Sequence, residues 1–69
     1  MRYAIIIEKA SSNYSAYCPD LPRCVATGYT IEEVKNEMTE AIAFHLEGLR
    51  EEGLPIPLPL SLTDYIEAS

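Results

Sequence analysis

Apolar and polar positions along the first half of the chain alternate with the period of a strand. In Arg2–Lys9, Tyr3, Ile5 and Ile7 interleave with Ala4, Ile6 and Glu8. A β-branched and aromatic run of this kind predicts a strand. Because both of its faces are apolar, an inner place in the sheet is expected. Ser11-Ser12-Asn13 supplies turn chemistry, and Tyr14–Cys18 reads as a second strand. Pro19-Asp20-Leu21-Pro22 breaks the ladder, since neither proline has an amide to donate. Arg23–Thr27 is a third strand, ending at Gly28. The period then switches: Ile31, Val34, Met38, Ala41, Ile42, His45, Leu46 and Leu49 share one face at 100° per residue. Thr30 and Glu33 form a capping box at the start of this helix, which is expected to run to Glu52. Gly53 stops it in the left-handed conformation, with Leu54 placed to pack back on Leu49. Pro55, Pro57 and Pro59 impose an extended path, and Leu60–Ile66 reads as a fourth strand.

The element order is therefore β-β-β-α-β, an α+β fold in which a three-stranded antiparallel meander is followed by a crossover helix. The fourth strand runs parallel to the first and third. A right-handed crossover places it beside the first, in order 3-2-1-4; the alternative is an added edge beside the third.

With 69 residues the chain accommodates one domain, residues 1–69. So small a domain buries only about 60% of the surface of its unfolded chain, so a homo-oligomer (dimer or tetramer) or a bound partner is expected. The formal charge of −6 argues against direct binding to nucleic acid or to an anionic membrane. The longest purely apolar run, Ala4–Ile7, is far short of the ~20 residues of a spanning helix. The N-terminus lacks a signal-peptide pattern, so a cytoplasmic location is expected. Cys18 and Cys24 then read as free thiols that pack as small apolar groups. Their spacing and the distant His45 match no zinc pattern, and no metal or cofactor is expected.

Charge is concentrated on the helix, where residues 31–52 hold seven Glu against Lys35 and Arg50. Opposite the apolar face runs a rail at three- and four-residue spacing: Glu33, Glu37, Glu40, Phe44, Glu47 and Glu51. It is about 27 Å long. Like-charged pairs such as Glu33/Glu37 and Glu47/Glu51 cost the helix roughly 0.2–0.5 kcal/mol each. Three readings fit the rail. It is a solvated outer face, or a self-association surface that buries Phe44. Alternatively it is a docking surface, its carboxylates imitating a phosphate backbone around Phe44 as apolar anchor. Asp20, between prolines, is a turn former first and a contact residue second.

The same element order makes up the front half of the ribonuclease H fold, whose chemistry needs carboxylates gathered around metal ions. Glu8, Glu33, Glu37 and Asp64 are the available groups, but the centre of the first strand is Ile5-Ile6-Ile7 and offers none. Without a nucleophile–base pair or a phosphate-cradling glycine loop, the chain does not read as an enzyme.

Three ordered stretches point further. Tyr14–Cys24 (Y-S-A-Y-C-P-D-L-P-R-C), Gly28–Glu33 (G-Y-T-I-E-E) and Glu52–Pro57 (E-G-L-P-I-P) together resemble HicB-type antitoxins. The pattern of that family is y-x-a-x-x-P-D-L-P-G-C, then G-x-T-x-E-E-A, then e-G-x-x-I-P-x-P. Arg23 stands where the family has glycine, and Val34 where it has alanine. The resemblance implies a truncated ribonuclease H-like fold without nuclease activity. It also implies an antitoxin role, the neutralisation of a small basic ribonuclease toxin of the HicA type. Many members carry a C-terminal DNA-binding domain; none is expected within residues 1–69. Partner contacts are expected at Asp20, Glu33, Glu37, Glu40, Phe44, Glu47 and Glu51.

Overall fold

A computed structural model describes residues 1–69. Three strands, β1 (Ile6–Lys9), β2 (Tyr14–Tyr17) and β3 (Val25–Gly28), precede one helix, α1 (Ile31–Glu51). They form an antiparallel sheet in the order β1-β2-β3. Register pairs Ile7 with Ala16 and Ala16 with Ala26, which sets these three on the face beneath α1. Ile6, Tyr17 and Val25 form the matching row on the other face, with Tyr17 42% and Val25 63% exposed.

Ladder chemistry sets the strand ends. Ile6 opposite Tyr17 is the last pair of β1 and β2. Two residues further on, Pro19 would face Ala4, and proline has no amide to give. Residues 2–5, expected in the strand, therefore lie outside it. From Cys18 to Cys24 the chain makes a closed turn: the Cys18 amide donates to the Cys24 carbonyl at 3.1 Å, Leu21 N–H to Cys18 O and Cys24 N–H to Leu21 O. Leu21 is folded inward and is 1% exposed.

Both ends of α1 are built as the sequence pattern requires. The Thr30 hydroxyl accepts from the Glu33 amide at 3.0 Å. The Glu33 carboxylate reaches back one residue further than the standard box, to the Tyr29 amide at 3.3 Å. At the other end Gly53 has φ +67°. There the Leu54 amide donates to Leu49 O and the Gly53 amide to Arg50 O, the paired bonds of a Schellman stop.

The core is small. Ala16, Cys18, Leu21, Cys24, Val34 and Met38 are its buried apolar residues. Gly28 makes the helix–sheet approach possible, since a Cβ there would lie 2.7 Å from the Val34 amide nitrogen. The helix packs chiefly on β3 and β2. Its 21 residues extend about 31 Å against about 13 Å for the four-residue strands, so its C-terminal half overhangs. Ala41, Ile42, His45, Leu46 and Leu49 are accordingly only half-buried. Ile31, expected on the core face, is 50% exposed because it precedes the close approach at Val34.

The fourth strand is not formed. Residues 54–69 carry no regular secondary structure, and the sheet ends at β1, an edge rather than the inner strand expected. Pro55, Pro57 and Pro59 remove donors only from the lead-in to that strand; no backbone hydrogen bond joins residues 60–66 to β1, and side-chain ties hold the arm. The Tyr3 hydroxyl donates to the Pro57 carbonyl. The Ser61 amide and hydroxyl both donate to the Asp20 carboxylate, at 3.0 and 2.9 Å. Around Pro59, Leu60 N–H donates to Leu58 O in a γ-turn. The expected neighbourhood nevertheless holds: Leu62–Tyr65 runs past Ile5–Ile7, across a cleft of about 390 Å³.

Candidate partner-binding surface

Helix geometry turns the rail outward. With Val34 and Met38 buried against the sheet, Glu33, Glu37, Glu40, Phe44, Glu47 and Glu51 all lie exposed. Phe44 is 80% exposed, in the middle of the row. A carboxylate every three to four residues on one side of a helix makes a strongly negative strip with a single aromatic ring at its centre. Glu33 differs from the rest in being engaged by the Tyr29 amide as part of the cap.

Asp20 is placed differently from the rail. It sits half-buried in the Pro19–Pro22 turn, and both carboxylate oxygens take hydrogen bonds from Ser61. This ties the turn to the arm across 41 positions of sequence. No local pattern signals this structural role, because the partner lies in a distant segment.

The thiols lie in the interior. Cys18 and Cys24 face each other where β2 and β3 meet the turn, both free and only 3% and 4% exposed. Burial, and to a smaller degree the neighbouring Cys18, pushes the Cys24 thiol above its usual value near 9.0. The raised value disfavours the thiolate, the reactive form, so Cys24 is not set up as a nucleophile. His45 is half-buried on the overhanging half of α1. No three His, Cys, Asp or Glu residues come together as a metal-binding group, and Glu8, Glu33, Glu37 and Asp64 do not converge. No helix is long and apolar enough to cross a membrane.

Residues 3–69 match the model of the HicB-like antitoxins of bacterial toxin–antitoxin systems. The chain belongs to that family. A solved chain of a HicA3 and HicB3 toxin–antitoxin complex superposes on this HicB-like chain with a TM-score of 0.71 and 37% identity, covering 83% of it. Its α+β arrangement of three antiparallel strands and a helix is thus that of an antitoxin. An uncharacterised 14.9 kDa protein of Haemophilus phage HP1 is 38% identical over 66 residues, 96% of this HicB-like chain. A UPF0150 protein from Synechocystis is 39% identical over 56 residues, which is 80% of this chain and 71% of that protein. The HicB-like chain spans 50% of the phage protein and 66% of the solved chain.

Within this family the departure at position 23 acquires a structural meaning. Arg23 has φ +66°, the only non-glycine residue with positive φ. The glycine of the family pattern would adopt that conformation freely, whereas arginine carries about 1–2 kcal/mol of strain there.

Proposed function

We propose that this HicB-like antitoxin binds a small, basic ribonuclease toxin of the HicA type and neutralises it by covering its RNA-facing surface with the acidic side of α1. One observation carries the reading: Glu37, Glu40, Phe44, Glu47 and Glu51 stand exposed along one helix face, with no basic residue among them. A surface that binds RNA phosphates is complementary to such a row, and Phe44 supplies the desolvated anchor. The solved complex of HicA3 with HicB3 supports a partner of this class. Glu33 and Asp20 contribute indirectly, Glu33 through the helix cap and Asp20 by fixing the turn and the arm. The protein acts by binding and does no chemistry, as a dimer or tetramer in the cytoplasm, on a truncated ribonuclease H-like fold.

Co-expression with a cognate basic toxin tests the reading. A salt-sensitive complex is expected, with Phe44→Ala weakening it about tenfold. Glu40→Lys should weaken it most at low ionic strength. Unchanged affinity in both variants would remove the rail from the account. A second reading, a structural or regulatory oligomer without a toxin in which Phe44 and the proline segment bury against copies of the chain, rests on the exposure of Phe44 and of the apolar residues of the arm. It requires that Phe44→Glu reduce the particle mass in light scattering, which toxin docking does not.

A further inference from the structure

The two interior thiols take no part in the proposed docking. The register that pairs Tyr17 with Val25 sets Cys18 opposite Cys24 one residue on, and the Cys18 amide donates to the Cys24 carbonyl at 3.1 Å. Residues opposed in this way on antiparallel chains have Cα atoms about 5.5 Å apart. A disulfide spans roughly 4.4–6.8 Å between Cα atoms, so a bridge fits the backbone as it stands. Both side chains leave on the face that carries Ala16 and Ala26 and join the core beneath α1. They are near enough for Cys18 to help raise the Cys24 thiol. The turn that they enclose holds other parts of the molecule in place. Leu21 fills the core, Asp20 clamps Ser61 of the arm, and Arg23 stands at φ +66° beside Cys24.

We propose that Cys18 and Cys24 form a dithiol site that a low-molecular-weight disulfide oxidises to an intramolecular bridge, locking the turn between β2 and β3. One protein thiolate attacks the small disulfide, forming a mixed disulfide and expelling one small thiolate. The second protein thiolate attacks the protein sulfur of that mixed disulfide and expels the other. The protein gives up two hydrogens and two electrons, and the small disulfide becomes two thiols. Burial decides when this happens. At 3% and 4% exposure neither sulfur meets the reagent while the turn is closed, and burial keeps Cys24 protonated. Exchange therefore waits on local opening of the turn. The Asp20–Ser61 bonds oppose that opening, whereas the strained backbone at Arg23 favours it. In a reducing compartment the dithiol persists, and the bridge forms when the small disulfide accumulates. The site is separate from the glutamate rail and holds whether or not a toxin docks there.

Incubating the reduced full chain with glutathione disulfide under native conditions, followed by intact-mass spectrometry, tests it. The expected product is a single chain lighter by two hydrogens, with no thiol left for maleimide and the helix signal kept in circular dichroism. Since Cys18 and Cys24 are the only cysteines, that mass identifies the bridge. The bridged chain should unfold at a higher urea concentration than the dithiol, and a thiol reductant should abolish the difference. Asp20→Ala, which releases the arm, should oxidise about tenfold faster than the native chain. Ser61→Ala, which removes one of the two bonds, should fall between them. Persistence of both thiols in the native chain, while the urea-unfolded chain oxidises, overturns the proposal. So does a main product with chain-to-chain disulfides or two glutathione adducts, or a bridged chain that has lost its helix signal or unfolds at lower urea. Equal rates in Asp20→Ala and the native chain would remove the arm as the gate.

Discussion

Residues 14–38 and residues 54–69 have similar apolar content and opposite fates. Every buried residue, from Ala16 to Met38, lies in the first region. The second holds Leu54, Leu58, Leu60, Leu62, Tyr65 and Ile66, all at least half exposed. Hydrophobicity is therefore not what separates them. The first region has short-range closures at each step: the Cys18–Cys24 turn, the approach at Gly28 and the Thr30–Glu33 cap. In the second, Pro55, Pro57 and Pro59 remove donors ahead of residues 60–66, no backbone bond joins the arm to β1, and two side-chain ties are what remain. Apolar surface is buried where backbone hydrogen bonds can be completed along with it.

The comparison is broken most severely at its tightest point. Gly28→Ala should cost about 3 kcal/mol in urea unfolding, because the added methyl meets helix backbone that cannot yield without lifting α1. Next, Asp20→Ala should cost about 1.5 kcal/mol by stranding the Ser61 donors. Its mark should be faster amide exchange in residues 54–62, with Val34 and Met38 unaffected. In the opposite direction, Arg23→Gly should stabilise by about 0.5–1 kcal/mol, since it relieves a positive φ while adding some unfolded-state freedom. A gain of this size in the melting transition, with no change in the helix signal, would sharpen the contrast by strengthening the already closed turn. The smallest effect concerns pH. The folded-state pKa of Cys24 lies above its usual value near 9.0, so the unfolded chain loses this proton first. Stability from this group is complete below about pH 9 and declines above it. Denaturation midpoints at pH 8 and pH 10 should show the decline, and Cys24→Ser should remove it.

Much of the molecule was legible in the chain. The three strands, both helix caps and the outward rail follow from spacing and from single residues such as Thr30 and Gly53, whose effects act within one turn. The antitoxin family was readable in the three motifs before any coordinates. Legibility was poorer where the outcome depended on length or on remote partners. The overhang that leaves Leu46 and Leu49 half-buried comes from a helix longer than the sheet beneath it. Asp20 looked like a turn residue with a spare carboxylate until Ser61 was seen to occupy it.

Local order in this protein was determined by the sequence alone: period-two runs for strands, a period of 3.6 for the helix, and Ser-Ser-Asn, proline or glycine at the boundaries. Such signals act through the φ/ψ preferences and hydrogen-bond donors of neighbouring residues, so they survive without knowledge of the rest of the chain. Only the tertiary structure decided that Leu60–Ile66 remains an unpaired arm, that β1 is an edge and that Asp20 serves as a clamp. The physical reason is that a strand is a relation between two segments: a suitable pattern becomes a ladder only when a partner edge lies within hydrogen-bond reach in matching register.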